Sequence, residues 1–233
     1  MTPEFLLVAS LLSPVAGGIL ILAAGRSPGA RDILMVAAAV VTAVFTLMLA
    51  AQVLDGARPV LTLHQLMPGL PIGFAVEPLG MIFAAVAGTL WPITAVYSIG
   101  YMRGNHEAHQ TRFHFCFALA IVSALALAYS DGLLSMFIAY EVLTLSTYPL
   151  VTHSGTKEAM KAGRTYLGIL LGTSIGLQLT AIIGVYVLAG TVAFTAGGVL
   201  PDGLSPALLG LLLGLFAYGI GKVALMPLHA WLP

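Results

Sequence analysis

The chain has 233 residues, of which 59% are hydrophobic and 8% charged, and its formal net charge is zero. A soluble globular domain carries about 25% charged residues, so this composition cannot cover a water-facing surface, and the missing positive excess argues against nucleic acid as a partner. The single cysteine, Cys116, excludes an internal disulfide framework and a multi-cysteine metal or iron–sulfur site.

Lipid as solvent leaves helices or closed barrels as the structures that satisfy the backbone. The apolar runs are long and lack period-2 alternation, which favours helices. The first run, residues 5–24, contains no Lys or Arg before it and has Glu4 at its start. It is long enough to span, whereas a signal-peptide core is about 7–15 residues. Further spans are predicted over residues 33–54, 79–101, 113–129, 132–151 and 165–188, and a seventh from about residue 207 past Lys222. Between the second and third, residues 56–75 hold Pro59, Pro68 and Pro71 and read as an extended loop or short hairpin. Only Ser130 and Asp131 join the fourth and fifth spans, which must be antiparallel neighbours. No linker or low-complexity break appears, so one transmembrane domain over residues 1–233 is predicted.

The connections after spans one, three and five hold Arg26, Arg31, Arg103, Arg112, Lys157, Lys161 and Arg164, against Arg58 alone on the other side. This positive-inside bias places the N-terminus outside and the C-terminus on the cytoplasmic side.

Two charges fall at membrane depth. Glu141 lies mid-way along the fifth span, where an ionisable residue costs about 2.5–3.5 kcal/mol on insertion scales. Thr144, Tyr148 and Thr152 follow at i+3, i+7 and i+11, making a polar stripe on one face. Such a stripe can line a water path or face another helix; the alternative is a protonated Glu141 satisfied by a nearby hydroxyl. Lys222 is preceded by Gly219 and Gly221 and followed by Pro227, which weakens the helix around it. Freed carbonyls at depth are tolerated only beside protein or a water cavity. A lysine there can carry protons; the alternative is that its long stem snorkels to the interface.

The remaining polar residues divide between roles. Lys161 and Arg164 read as positive-inside anchors or as partners tuning Glu141. Asp131 and Glu77 read as interfacial charges. His114 and His229 read as satisfied polar residues or proton carriers. Trp91 and Trp231 read as packing or interface anchors. Gly168, Gly172 and Gly176, four residues apart, predict a close helix-packing seam. No phosphate loop, ligand cluster or serine nucleophile is visible, and no cofactor is expected.

Three stretches carry a family resemblance. Phe74-Ala-Val-Glu-Pro-Leu-Gly80 followed by Tyr97-Ser-Ile-Gly-Tyr-Met102 resembles the third-span signature of the antiporter-like subunits of respiratory complex I and of Mrp-type multisubunit cation/proton antiporters. Tyr140-Glu-Val-Leu-Thr-Leu-Ser-Thr-Tyr148 is similar to their fifth-span motif. Gly221-Lys-Val-Ala-Leu-Met-Pro-Leu-His-Ala-Trp-Leu-Pro233 resembles their seventh-span lysine motif and is the most specific of the three. The whole chain looks closest to the Mrp D-type subunit.

The resemblance implies an all-α, polytopic fold of about seven spans with the seventh broken, half of a fourteen-helix inverted repeat. It implies a proton path using Glu141 and Lys222, with Arg164 or Lys161 as a basic partner of the glutamate and His229 beside the broken helix. It implies a proton-translocating subunit of a monovalent cation (Na+)/proton antiporter in the inner (plasma) membrane, with other membrane subunits as partners. A proton-pumping subunit of a complex I-like NADH:quinone oxidoreductase or membrane hydrogenase, with no redox centre in this chain, is the alternative. Tyr140 stands where the family often has Trp. The stop after about seven spans, inside the motif, implies a fragment or split chain. A rhodopsin-like retinal protein would also have seven spans and a lysine in the seventh, but Gly219, Gly221 and Pro227 break the helix that would hold a Schiff base.

Overall fold

The structure, a computed structural model, describes residues 1–232. Pro233, the last residue of the seventh-span motif, lies outside them. Eight helices follow in order: α1 (Pro3–Ala23), α2 (Pro28–Leu54), α3 (Pro78–Gly104), α4 (Gln110–Ala128), α5 (Leu133–Val151), α6 (Lys157–Thr173), α7 (Leu179–Ala189) and α8 (Pro206–Gly219). A π turn, Ser174–Gln178, fuses α6 to α7 into one 33-residue span. Among the described residues six helical segments are long and apolar enough to cross a membrane, and α8 is a shorter apolar helix. The chain is a polytopic membrane protein.

Local chemistry sets the helix starts. Prolines open α1, α2, α3 and α8, where the missing N–H costs nothing. Thr2, Thr156 and Ser205 accept N–H groups of the first turns of α1, α6 and α8. The Thr156 cap explains why the sixth span begins eight residues before the predicted residue 165. Lys157, Glu158, Lys161 and Arg164 are a charged first half of the helix and not a loop.

The predicted hairpin is present between α2 and α3, as β1 (Val60–Met67) and β2 (Leu70–Ala75). Pro68 and Gly69 form its turn, with Gly69 at φ +79°, a pairing that suits a two-residue reversal. The Pro68 carbonyl accepts the Tyr186 hydroxyl at 3.0 Å, and the Gly69 carbonyl accepts the Val192 N–H at 3.1 Å. At the other end of β2 the Gly73 N–H donates to Ser135 Oγ at 3.0 Å. Asp131, read as an interfacial charge, accepts the Ser135 hydroxyl and so fixes the first turn of α5.

Contacts divide the chain into two compact units. The first comprises residues 1–61 and 75–129 and holds α1 to α4. Its core is Ile21, Met35, Ala39, Trp91, Ala95 and Ala118. Membrane helices gain no hydrophobic drive against each other, so close approach through small residues does the work. An added Cβ at Gly17 would lie 2.3 Å from Ala38 Cβ, and one at Gly80 would lie 2.0 Å from the Ala128 carbonyl oxygen. Trp91 is a packing residue, 1% exposed. Gly80→Val is therefore expected to destabilise this unit by about 2 kcal/mol or more, the usual cost of forcing volume into a packed site. Thermal unfolding in detergent would check it, and an unchanged midpoint would show that α3 can shift freely.

The second unit comprises residues 62–74 and the chain from Ser130 onward and holds α5 to α8. Gly163 lets α6 close on α5, since a Cβ there would meet Thr152 Cγ2 at 2.3 Å. Gly219 lets α8 close on the π turn, where a Cβ would meet Gln178 N at 2.5 Å. Among the described residues the predicted seam of Gly168, Gly172 and Gly176 is not a packing seam. An added Cβ at any of the three meets nothing within 4 Å. The face that does the packing carries Gly163, Tyr166, Leu170 and Thr173 instead.

Candidate functional site

The site forms in the second unit where the seventh span breaks. Helix α8 ends at Gly219, and Gly221–Val223 continue as one 3-10 turn. Ala224, at φ +55°, ends that turn. Gly221 is buried against α6, and a Cβ on it would meet Thr173 Oγ1 at 2.5 Å and Leu170 Cδ2 at 2.9 Å. The break expected from the glycines and Pro227 is thus present, and close docking onto α6 fixes where it falls.

Lys222 projects from this turn towards α5 and is half-buried. Its Nζ donates to Thr144 Oγ1 and lies 4.4 Å from the centre of the Tyr140 ring. The Tyr166 ring centre is 6.0 Å away. The π faces attract a cation here. The backbone N–H of Lys222 donates to Tyr140 Oη at 3.1 Å. Trp231 Nε1 donates to the Gly221 carbonyl at 3.0 Å, and its ring meets Tyr166 edge-on at 5.8 Å. Tyr166 Oη shares a hydrogen with Thr147 Oγ1 at 2.6 Å. These contacts turn the lysine head towards α5.

Glu141 sits next to Tyr140 on α5. It does not form an ion pair with Lys222 within 4 Å. Oε1 is buried and has no hydrogen-bond partner among the described residues. A buried carboxylate oxygen with an open lone pair can accept a proton or a water. The stripe that begins at Glu141 faces α6, with Thr144 fully buried and Tyr148 and Thr152 against Gly163.

The other residues singled out lie apart from these contacts. Lys161 and Arg164 are exposed on α6, and neither pairs with Glu141 among the described residues. His229 is exposed in the turn that precedes Trp231. His114 belongs to the first unit, where its Nε2 lies 3.9 Å from Asp32 Oδ1. Glu77 is exposed and reaches Arg58 at 3.9 Å. Sequence reasoning missed Tyr166 and treated Trp231 as an anchor only. The one signal available for Tyr166 was its place on α6 next to Gly163, where a close helix approach would aim it at α5.

Residues 130–233, which contain the whole site, match the family described as NADH:quinone oxidoreductase/Mrp antiporter, TM. Over these residues the chain resembles the antiporter-like subunit family. The antiporter-like chain is 31% identical over 173 residues to NAD(P)H-quinone oxidoreductase subunit 5, organellar chromatophore 1, of Paulinella chromatophora. That alignment covers 70% of this chain and 25% of the relative, so the chain spans about a quarter of that protein's length.

Its fold is shared with two solved complexes. One is the membrane-bound sulfane sulfur reductase, an archaeal respiratory membrane complex, with a TM-score of 0.79 and 19% identity. The match covers 98% of this chain and 46% of that one. The other is the Mrp complex from Dietzia sp. DQ12-45-1b, with a TM-score of 0.75 and 21% identity over 100% of this chain and 25% of that one.

Proposed function

We propose that this antiporter-like chain is a proton-translocating membrane subunit of a multisubunit monovalent cation (Na+)/proton antiporter. It works with other membrane subunits in the inner (plasma) membrane, with its Lys/Arg-rich connections facing the cytoplasm. The observation that carries the reading is the Lys222 ammonium, held at a helix break against Thr144 and the Tyr140 ring, with Glu141 next to Tyr140 on α5.

In this reading Lys222 takes and releases the proton, and Glu141 stabilises its charged state. Two unit charges about 4 Å apart at an effective dielectric near 20 interact by about 4 kcal/mol. Glu141 and Lys222 are not an ion pair at that range, so their coupling is weaker than this. A moderate coupling lets the proton leave as well as arrive. The open Oε1 of Glu141 is where a water or a neighbouring carrier would attach. Lys161, Arg164 and His229 would act on the path only through intervening waters or partner subunits.

A second reading is a proton-pumping subunit of a complex I-like quinone oxidoreductase. It is favoured by the name of the Paulinella relative, and the same site would serve it. Glu141→Ala in the complete complex is expected to cut proton-coupled transport by on the order of tenfold or more. Proton movement in membrane vesicles would measure it, and near-normal movement would sink both readings. Dependence on added sodium, against dependence on NADH and quinone, separates the two.

A further inference from the structure

The peptide unit between Gly221 and Lys222 is held from both edges by aromatic side chains. In a continuing α-helix the Lys222 N–H would donate to the carbonyl four residues back. At the break it donates to Tyr140 Oη at 3.1 Å instead. The carbonyl of the same peptide accepts Trp231 Nε1 at 3.0 Å, besides closing the 3-10 turn with the Ala224 N–H at 3.0 Å. A carbonyl has two lone pairs, so both bonds are compatible. The indole is in turn braced edge-on by Tyr166, which is tied to α5 through Thr147.

The plane of this peptide sets the direction in which the Lys222 side chain leaves the backbone. Rotating it would carry Nζ away from Thr144 and from the Tyr140 ring. We infer that Tyr140 and Trp231 together clamp the Gly221–Lys222 peptide plane and are positioning residues for the Lys222 ammonium. This inference rests on the proton-path reading given above. Tyr140 has two separable parts: its ring face attracts the ammonium, while its hydroxyl supplies the acceptor. Phe keeps the first and loses the second. Trp at the same position also offers a π face, but its N–H is a donor only and cannot accept the Lys222 amide.

The test uses the complete complex in membrane vesicles, with proton movement measured over a series of pH values and normalised to the amount of the chain in the membrane. Tyr140→Phe and Trp231→Phe are each expected to lower the rate about tenfold, in keeping with loss of one buried hydrogen bond. Each is also expected to displace the pH midpoint of transport, which a purely structural role would not do. Tyr140→Trp is expected to fail to restore the rate, and Trp231→His, which keeps a ring N–H, to restore most of it. Because both bonds act on one plane, the double Phe variant is expected to be no more than about twofold slower than the slower single variant. Multiplicative losses, or a wild-type rate and pH profile in Tyr140→Phe, would overturn the clamp. Lys222→Ala run alongside keeps the two ideas apart. Full loss there with wild-type Tyr140→Phe sinks the clamp alone, whereas a wild-type rate in Lys222→Ala sinks the proton path on which it rests.

Discussion

Lys222→Ala is expected to reduce proton-coupled transport by the complete complex by on the order of 100-fold, the lower range for removing a positioned proton-transfer group. No described neighbour can replace it. Thr144, Tyr140 and Tyr166 surround its head, and hydroxyls of this kind can relay a proton but do not hold a positive charge. The informative companion is Lys222→Arg. Arginine keeps the charge, yet it stays protonated at any physiological pH. Its planar fork also fits poorly where a compact ammonium rests over one ring and donates to one hydroxyl. If Lys222 carries the proton, the Arg variant is expected to fail nearly as badly as the Ala variant. If Lys222 is only a fixed charge that orders the path, Arg would retain most of the rate. Proton movement in vesicles, with chain abundance checked, decides between them. Growth under sodium stress gives a second readout for the antiporter reading, and unaffected growth of the Ala strain would favour a silent structural lysine.

The spans were legible because their cause is local: long apolar runs separated by charge. The sixth start was misplaced because Lys157, Lys161 and Arg164 interrupt the apolar run, whereas the Thr156 cap lets the helix begin at Lys157. The helix break was legible from Gly219, Gly221 and Pro227, but its depth against α6 was not. That depth depends on what lies opposite Gly221, namely Leu170 and Thr173, about fifty residues earlier in the chain. Glu141 and Lys222 stood out because charge at membrane depth is expensive. Thr144 stood out with them as part of the polar stripe, but Tyr166 did not, because a tyrosine is ordinary in a membrane span.

The glycine stripe shows the opposite error. A spacing of four on a helix correctly placed Gly168, Gly172 and Gly176 on one face, but periodicity cannot say which face packs. The face bearing Gly163 and Tyr166 won, since it brings the hydroxyl of Tyr166 to Thr147 and leaves room for Tyr148 and Thr152. Tyr140 is a subtler case. As a replacement for tryptophan it reads as a change between two amphipathic rings. In the folded chain its hydroxyl accepts a backbone N–H that an indole could not. The consequence of that difference appears only with the fold.

Asp32→Ala is expected to cost about 3–5 kcal/mol of stability, the range for breaking a buried ion pair from one side. Asp32 begins the apolar part of α2 and is 5% exposed, next to Arg31 at 4%. Arg31 Nε donates to Asp32 Oδ1 at 2.8 Å, and Arg31 also reaches Gln110 Oε1 at 2.8 Å and Thr111 Oγ1 at 3.4 Å. Arg103, from the end of α3, pairs with the other oxygen of Asp32. One carboxylate therefore ties together the adjoining ends of α2, α3 and α4. Sequence reasoning counted Arg31 and Arg103 as positive-inside anchors and gave Asp32 no role.

Removing the carboxylate leaves the Arg31 guanidinium buried against the neutral acceptors on Gln110 and Thr111. Arg103→Ala is the control. Its side chain is 50% exposed, so its pairing is screened by solvent and its loss is expected to cost no more than about 1 kcal/mol. Thermal unfolding of the detergent-purified chain should then rank the Asp32 variant far below the Arg103 variant. Equal midpoints for the two would mean that Arg31 finds water or lipid headgroups when its partner is gone. The cluster would then be a surface feature, and not the tie between three helices that its burial implies.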